Sequence, residues 1–148
     1  MPFIFRYQKV LDVREKQQHA LEVELARIER AVLDARADLA RWNERRQDVL
    51  AQLRSAREGG DIEQNAYGTA YLRHLRRRRA QSRQALTDVE RQRDAARASL
   101  ADALKACKVL EKYREKLEAE HLVAVERTEE QTVELHSARA HVRAGEMP

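Results

Sequence analysis

Apolar residues recur along this chain at alternating spacings of three and four. From Ile4 the series runs through Tyr7, Leu11, Arg14, Gln18, Leu21, Leu25, Ile28, Val32, Ala35, Leu39, Trp42, Arg46, Val49, Leu53 and Ala56, and only Arg14, Gln18 and Arg46 interrupt it. A repeat held this long is the a/d seam of a coiled coil. A second series starts at Leu72 and Leu75. It continues through Arg79, Ser82, Leu86, Val89, Arg93, Ala96, Leu100, Ala103, Cys107, Leu110, Arg114 and Leu117. Beyond Leu117 it thins to His121, Ala124, Thr128, Gln131, Leu135, Ala138 and Val142. A strict 3.5-residue period predicts a left-handed supercoil.

Between the two series lies Glu58-Gly59-Gly60-Asp61. Gly59 is expected to take the left-handed conformation that ends a helix. Asp61 is expected to cap the next one, with Gln64 three residues on as in a capping box. Gly68 is a weaker break, expected to delay or kink the second helix. A loop this short makes its helices antiparallel neighbours. The pattern therefore predicts an all-α protein, a single long two-helix antiparallel coiled-coil hairpin over 1–148. Helix one spans about 3–58, the turn about 59–61, and the longer helix two about 61–144. At about 1.5 Å per residue the helices measure roughly 84 and 126 Å. Folding at the glycines sets residue i opposite 119−i and brings Phe3 to Lys116 or its neighbours. Everything beyond about Leu117 is then an overhang with no facing helix in its own chain.

Composition sharpens this picture. Charged residues make up 36% of the chain and aromatics 5%, too few large apolar groups for a round core. The 43% hydrophobic residues suffice for a seam. The prolines, Pro2 and Pro148, stand near the ends, so nothing between them bars a helix. The one cysteine, Cys107, excludes an intrachain disulfide and reads as a small seam residue in a reducing compartment. No apolar run approaches the roughly 20 residues that span a bilayer. The opening Met-Pro-Phe-Ile-Phe-Arg lacks a leader core, so a cytoplasmic protein is expected.

Charge is unevenly placed. Residues 36–93 hold 14 arginines against 8 acidic residues, a net of +6. Residues 118–146 hold 7 glutamates against 3 arginines, a net of −4. All six lysines (Lys9, Lys16, Lys105, Lys108, Lys112, Lys116) fall where the N-terminus meets the second helix.

Candidate chemistry is sparse. Arg76-Arg77-Arg78-Arg79 resembles a nucleic-acid patch, but four consecutive helical residues form a collar, not a stripe. Only Tyr67 and Tyr71 stand near for base stacking, so a solvated collar or a contact to an acidic protein is the better reading. Glu118-x-x-His121 has the spacing of di-iron bundles, which need a second copy and further carboxylates. His136 and His141 are off the i,i+4 spacing that would chelate one metal. No phosphate loop, nucleophile elbow or dinucleotide fingerprint is present, and a two-helix hairpin offers no dry pocket. No catalytic residue, cofactor or metal is expected, and the protein is read as a non-enzyme. The aromatics are more informative. Phe3, Phe5 and Tyr7 crowd the first turns, with Phe5 off the seam and expected to face water or a partner. Trp42 lies on the seam, with Tyr67 and Tyr71 nearby on the return helix. Trp and Tyr are frequent interface anchors.

Two stretches carry a resemblance. The opening Phe3-x-Phe5-Arg6-Tyr7-x-x-Val10-Leu11-Asp12-Val13-Arg14-Glu15-Lys16 resembles the start of the FliJ family of flagellar export proteins. So does Lys105-x-x-x-Val109-Leu110-Glu111-Lys112-Tyr113-Arg114-Glu115-Lys116, followed by Glu126-x-Thr128-Glu129-Glu130. The resemblance implies a stalk-like coiled coil of the type III export apparatus, bound to the hexameric export ATPase, the export gate membrane protein and export chaperones. It would be held at the inner face of the cell membrane through that apparatus, without inserting. Phe3, Phe5, Tyr7, Leu11, Leu110, Tyr113 and Leu117 would then contact the ATPase. Leu39, Trp42, Tyr71 and Leu75 match the gate-facing positions, where Arg46 and Arg78 depart from the family's aromatic and small residues. A stalk protein of an injectisome, a basic nucleic-acid-binding hairpin and a passive structural coiled coil are the alternatives.

Overall fold

The computed structural model describes residues 2–145; Met1, Glu146 and Pro148, which enter the readings above, lie outside them. Two helices, α1 (Gln8–Glu58) and α2 (Ile62–Gly145), form a two-helix hairpin. The chain divides into two compact units, one built from residues 19–101 and one from 1–18 with 102–148.

In the first unit the seam residues are the ones that pack. Ile28, Val32, Val49, Leu53, Ala56 and Leu75 are buried. Val49, Leu53 and Leu75 form a cluster, with Trp42, Tyr71 and Leu72 against it. Cross-helix contacts run antiparallel: Asp38 meets Ser82, Asn43 meets Arg79 and Arg45 meets Tyr71. Those partner numbers sum to 116–122, close to the expected 119. The seam is polar where Ser82 and Arg79 occupy it. Ser82 is buried at 6% exposure and its hydroxyl donates to Asp38 Oδ2 at 2.9 Å. Two exposed ion pairs, Arg36–Glu90 and Arg97–Glu29, also bridge the helices. Exposed pairs of this kind contribute at most about 1 kcal/mol each.

The turn differs from expectation by one residue. Gly60, not Gly59, takes the left-handed conformation, with φ at 70°. The Gly60 amide donates to Arg57 O and the Asp61 amide to Ala56 O. These two bonds make a Schellman motif, which satisfies carbonyls the helix end would leave open. Asp61 also caps α2, its Oδ1 accepting from the Gln64 amide at 3.0 Å. Its own amide is committed to Ala56, so the reciprocal half of a capping box does not form. Gly68 neither delays nor interrupts α2, which starts at Ile62. A Cβ there would lie 2.8 Å from Leu53 Cγ, so the missing side chain is what seats Leu53.

In the second unit, Phe5, Leu11 and Cys107 are buried. Here α1 starts at Gln8, later than the expected residue 3. Residues 2–5 are not helical, and the Gln8 amide donates to Phe5 O at 3.1 Å. In an extended segment alternate side chains share a face. Accordingly Phe3 is half-buried, Phe5 is buried at 6%, and Ile4 between them is 83% exposed. Phe5 therefore packs inward, contrary to the helical reading that turned it outward and put Ile4 on the seam. A segment outside the helix is also freed from the rise of about 1.5 Å per residue of α1. Phe3 consequently reaches His121, with ring centroids 5.6 Å apart, and not Lys116. The covered stretch of α2 ends near Val125, and from Glu126 to Gly145 every residue is exposed.

Candidate interaction surfaces

The unit that holds the N-terminal segment carries an aromatic cluster. Phe5 meets Tyr7 and Tyr113 edge-on, with centroids 6.0 and 6.2 Å away. Tyr7 and Tyr113 lie 6.1 Å apart, and the Arg6 guanidinium sits 5.8 Å from the Tyr7 ring. Such pairs add to plain burial because ring edges carry positive and faces negative charge. Among the residues expected at the ATPase, Tyr7 and Tyr113 are exposed, while Phe3, Leu110 and Leu117 are half-buried. Phe5 and Leu11 are buried, and Phe5 backs both tyrosines edge-on. All six lysines are exposed in the same unit. The seam count passed over Val10, Val13 and Val109, which are exposed apolar residues of the same unit. Their signal was available: each is a β-branched residue outside the a/d positions. Cys107 is buried, and burial pushes its thiol pKa up, helped by Glu111 and Glu15 and opposed by Arg14. The thiol is therefore a packing group.

In the unit that holds the turn, Leu39, Trp42 and Tyr71 are half-buried, and Leu75 is wholly enclosed. The first three present surface to solvent; Leu75 does not, and Trp42 and Tyr71 pack against the cluster it belongs to. Each large ring is partnered by an arginine. Arg78 lies 5.7 Å from the Trp42 centroid. Arg45 lies 5.8 Å from the Tyr71 centroid and donates from Nε to the Tyr71 hydroxyl at 2.9 Å. His74 stacks on Tyr71. A cleft of about 500 Å³ opens beside Tyr71, lined by Tyr67, Gly68, Gln64, Leu53 and Asp48. The sequence reading missed it, because its lining comes from both helices and depends on how they pair. The arginine collar resolves into different roles. Arg79 turns into the seam, where its Nε donates to Asn43 Oδ1 at 2.6 Å. Arg78 covers Trp42, and Arg76 and Arg77 are exposed.

Among the described residues no group of His, Cys, Asp and Glu could hold a metal ion, and no helix is long and apolar enough to cross a membrane. His121 of the Glu118-x-x-His121 spacing faces Phe3.

Residues 3–146 match the family model described as Flagellar FliJ protein. The chain belongs to the FliJ family. Membership makes it a flagellar export-related protein, and the two long helices agree with that assignment. No individual curated protein and no solved structure matches the chain significantly. The FliJ match spans both units described above, including the aromatic cluster and the Trp42 face.

Proposed function

We propose that this FliJ-family chain is a non-catalytic stalk of the flagellar type III export apparatus. Its paired termini bind the hexameric export ATPase, and its other surfaces engage the export gate and export chaperones. The family match over residues 3–146 is the observation that carries this reading. The exposed Tyr7 and Tyr113 pair, in a unit that carries all six lysines on its surface, supports a protein contact at the termini. On this reading Tyr7, Tyr113 and Phe3 touch the ATPase, and Phe5, Leu11, Leu110 and Leu117 hold them in place. At the gate Leu39, Trp42 and Tyr71 make the contact, and Leu75 holds the rings from within. The protein then works in the cytoplasm, at the membrane only through the apparatus.

Size-exclusion chromatography with the cognate export ATPase tests the proposal. Co-elution, with a change in hexamer formation or ATP hydrolysis, is the expected result. Separate elution with unchanged hydrolysis overturns it.

A further inference from the structure

Two clusters of opposite charge lie outside the surfaces assigned above. The first is built around Arg79, half-buried at a seam position and anchored to Asn43. Arg76 and Arg83 stand one helical turn to either side of it on α2. Arg46 stands near on α1: burial first, then Arg46, Arg83 and Arg76, pull the Arg79 guanidinium below its ordinary pKa. Among the described residues no carboxylate forms an ion pair with any of these four arginines. Four like charges held together oppose one another, and a bound anion relieves that repulsion.

The second cluster lies on the bare end of α2. Glu126, Glu129, Glu130 and Glu134 follow one another at helical spacing beside Val133, which is 64% exposed. Among the described residues none of these glutamates joins an ion pair either. The two clusters match in span as well as sign. Arg76 to Arg83 covers about 10.5 Å of helix and Glu126 to Glu134 about 12 Å. A second helix laid along this face would bring carboxylates to the exposed Arg76 and Arg83, the pairing a planar guanidinium fork suits best. Nucleic acid fits the arginines less well. Single strands bind by stacking bases on aromatic rings; the nearby Trp42 and Tyr71 are already occupied by Arg78, Arg45 and His74, and the open ring of Tyr67 stands more than two helical turns before Arg76.

We propose that the glutamate stripe of one copy docks on the arginine cluster of a second copy of this chain, so that the protein self-associates through helix-to-helix ion pairs. This contact is separate from the export role and stands or falls without it.

Sedimentation velocity on the full chain, after nuclease treatment, tests the proposal. At low ionic strength and about 100 µM the protein is expected to sediment at twice the monomer mass or more. At about 0.3 M salt, where exposed charges are screened within a few ångströms, it returns to the monomer. R76E/R83E and E126R/E130R are each expected to be monomeric at low salt. Their equimolar mixture regains the larger species, because each supplies the surface the other has lost. E111R/E115R, reversed elsewhere on α2, keeps the wild-type behaviour. Circular dichroism checks that each variant is helical, and E126Q/E130Q on the exposed end carries the test if the arginine variants unfold. A wild-type monomer at low salt, association that survives both reversals, or loss of association on nuclease treatment overturns the proposal.

Discussion

Leu53 constrains the residue opposite it, because it occupies the space a side chain on Gly68 would need. Alanine at an exposed helical position is favoured over glycine by about 1 kcal/mol. Here the opposite sign is expected. Gly68→Ala should destabilise the protein by about 1–3 kcal/mol, the usual range for overpacking. In a Leu53→Ala background the same substitution should become neutral or stabilising, and urea melts of the four proteins close that cycle. Cys107 gives a pH prediction. Burial lifts its folded pKa above the ordinary 9.0, so the folded state holds the proton longer than the unfolded state. Stability from this group is complete below the unfolded pKa and falls as pH rises through and beyond it. Denaturation midpoints above about pH 9 should fall more steeply in the wild type than in Cys107→Ala. Equal slopes would show that the buried thiol has no such effect.

At the scale of the element, the turn and the free end of α2 behave differently. The turn is held by the Schellman pair and the Asp61 cap, and only Gly60 has a positive φ. Gly60→Ala should cost about 1 kcal/mol, because an L side chain is strained there. Gly59→Ala should be close to neutral, and Asp61→Ala should cost about 1 kcal/mol through the lost cap. Thermal melts separate the three. The last stretch of α2 is exposed at every residue from Glu126. Most helical stability in proteins comes from burying an apolar face, and a lone helix is marginal in water. In a monomeric sample, hydrogen exchange should be fast beyond about Val125 and slow through Leu110, and truncation after Val125 should leave the melt nearly unchanged. Slow exchange across 126–145 in a demonstrated monomer would contradict this.

For the molecule as a whole, support must be told apart from contact. Leu11 is buried at 2%, whereas Tyr7 and Tyr113 are exposed in the same unit. Leu11→Ala should cost about 3 kcal/mol, with export-ATPase association declining only as the fold does. Tyr7→Ala combined with Tyr113→Ala should leave most of the helicity and weaken co-elution with the ATPase. Retained co-elution by the well-folded double tyrosine variant would move the contact elsewhere.

The hairpin was legible from the sequence because a helix seam is a local, repeating demand. Every third or fourth side chain must be apolar, whatever lies opposite. Hence Leu11, Ile28, Val32, Val49, Leu53, Leu75 and Cys107 are buried as their spacing predicts. Two local signals existed but belong to other rules: the alternation Phe3-x-Phe5, which is extended-chain logic, and the exposed Val10, Val13 and Val109. What the chain pattern did not contain was the identity of each residue's neighbour across the hairpin. The pairing of Ser82 with Asp38, the seating of Leu53 on Gly68 and the clasp of Arg78 on Trp42 depend on register. So does the choice of Gly60 over Gly59 for the left-handed residue, since it follows from which carbonyls the turn must satisfy. Periodicity determines which face is buried; only the packed helices decide which atoms meet there, because a shift of one heptad changes every partner while leaving a/d residues on the seam.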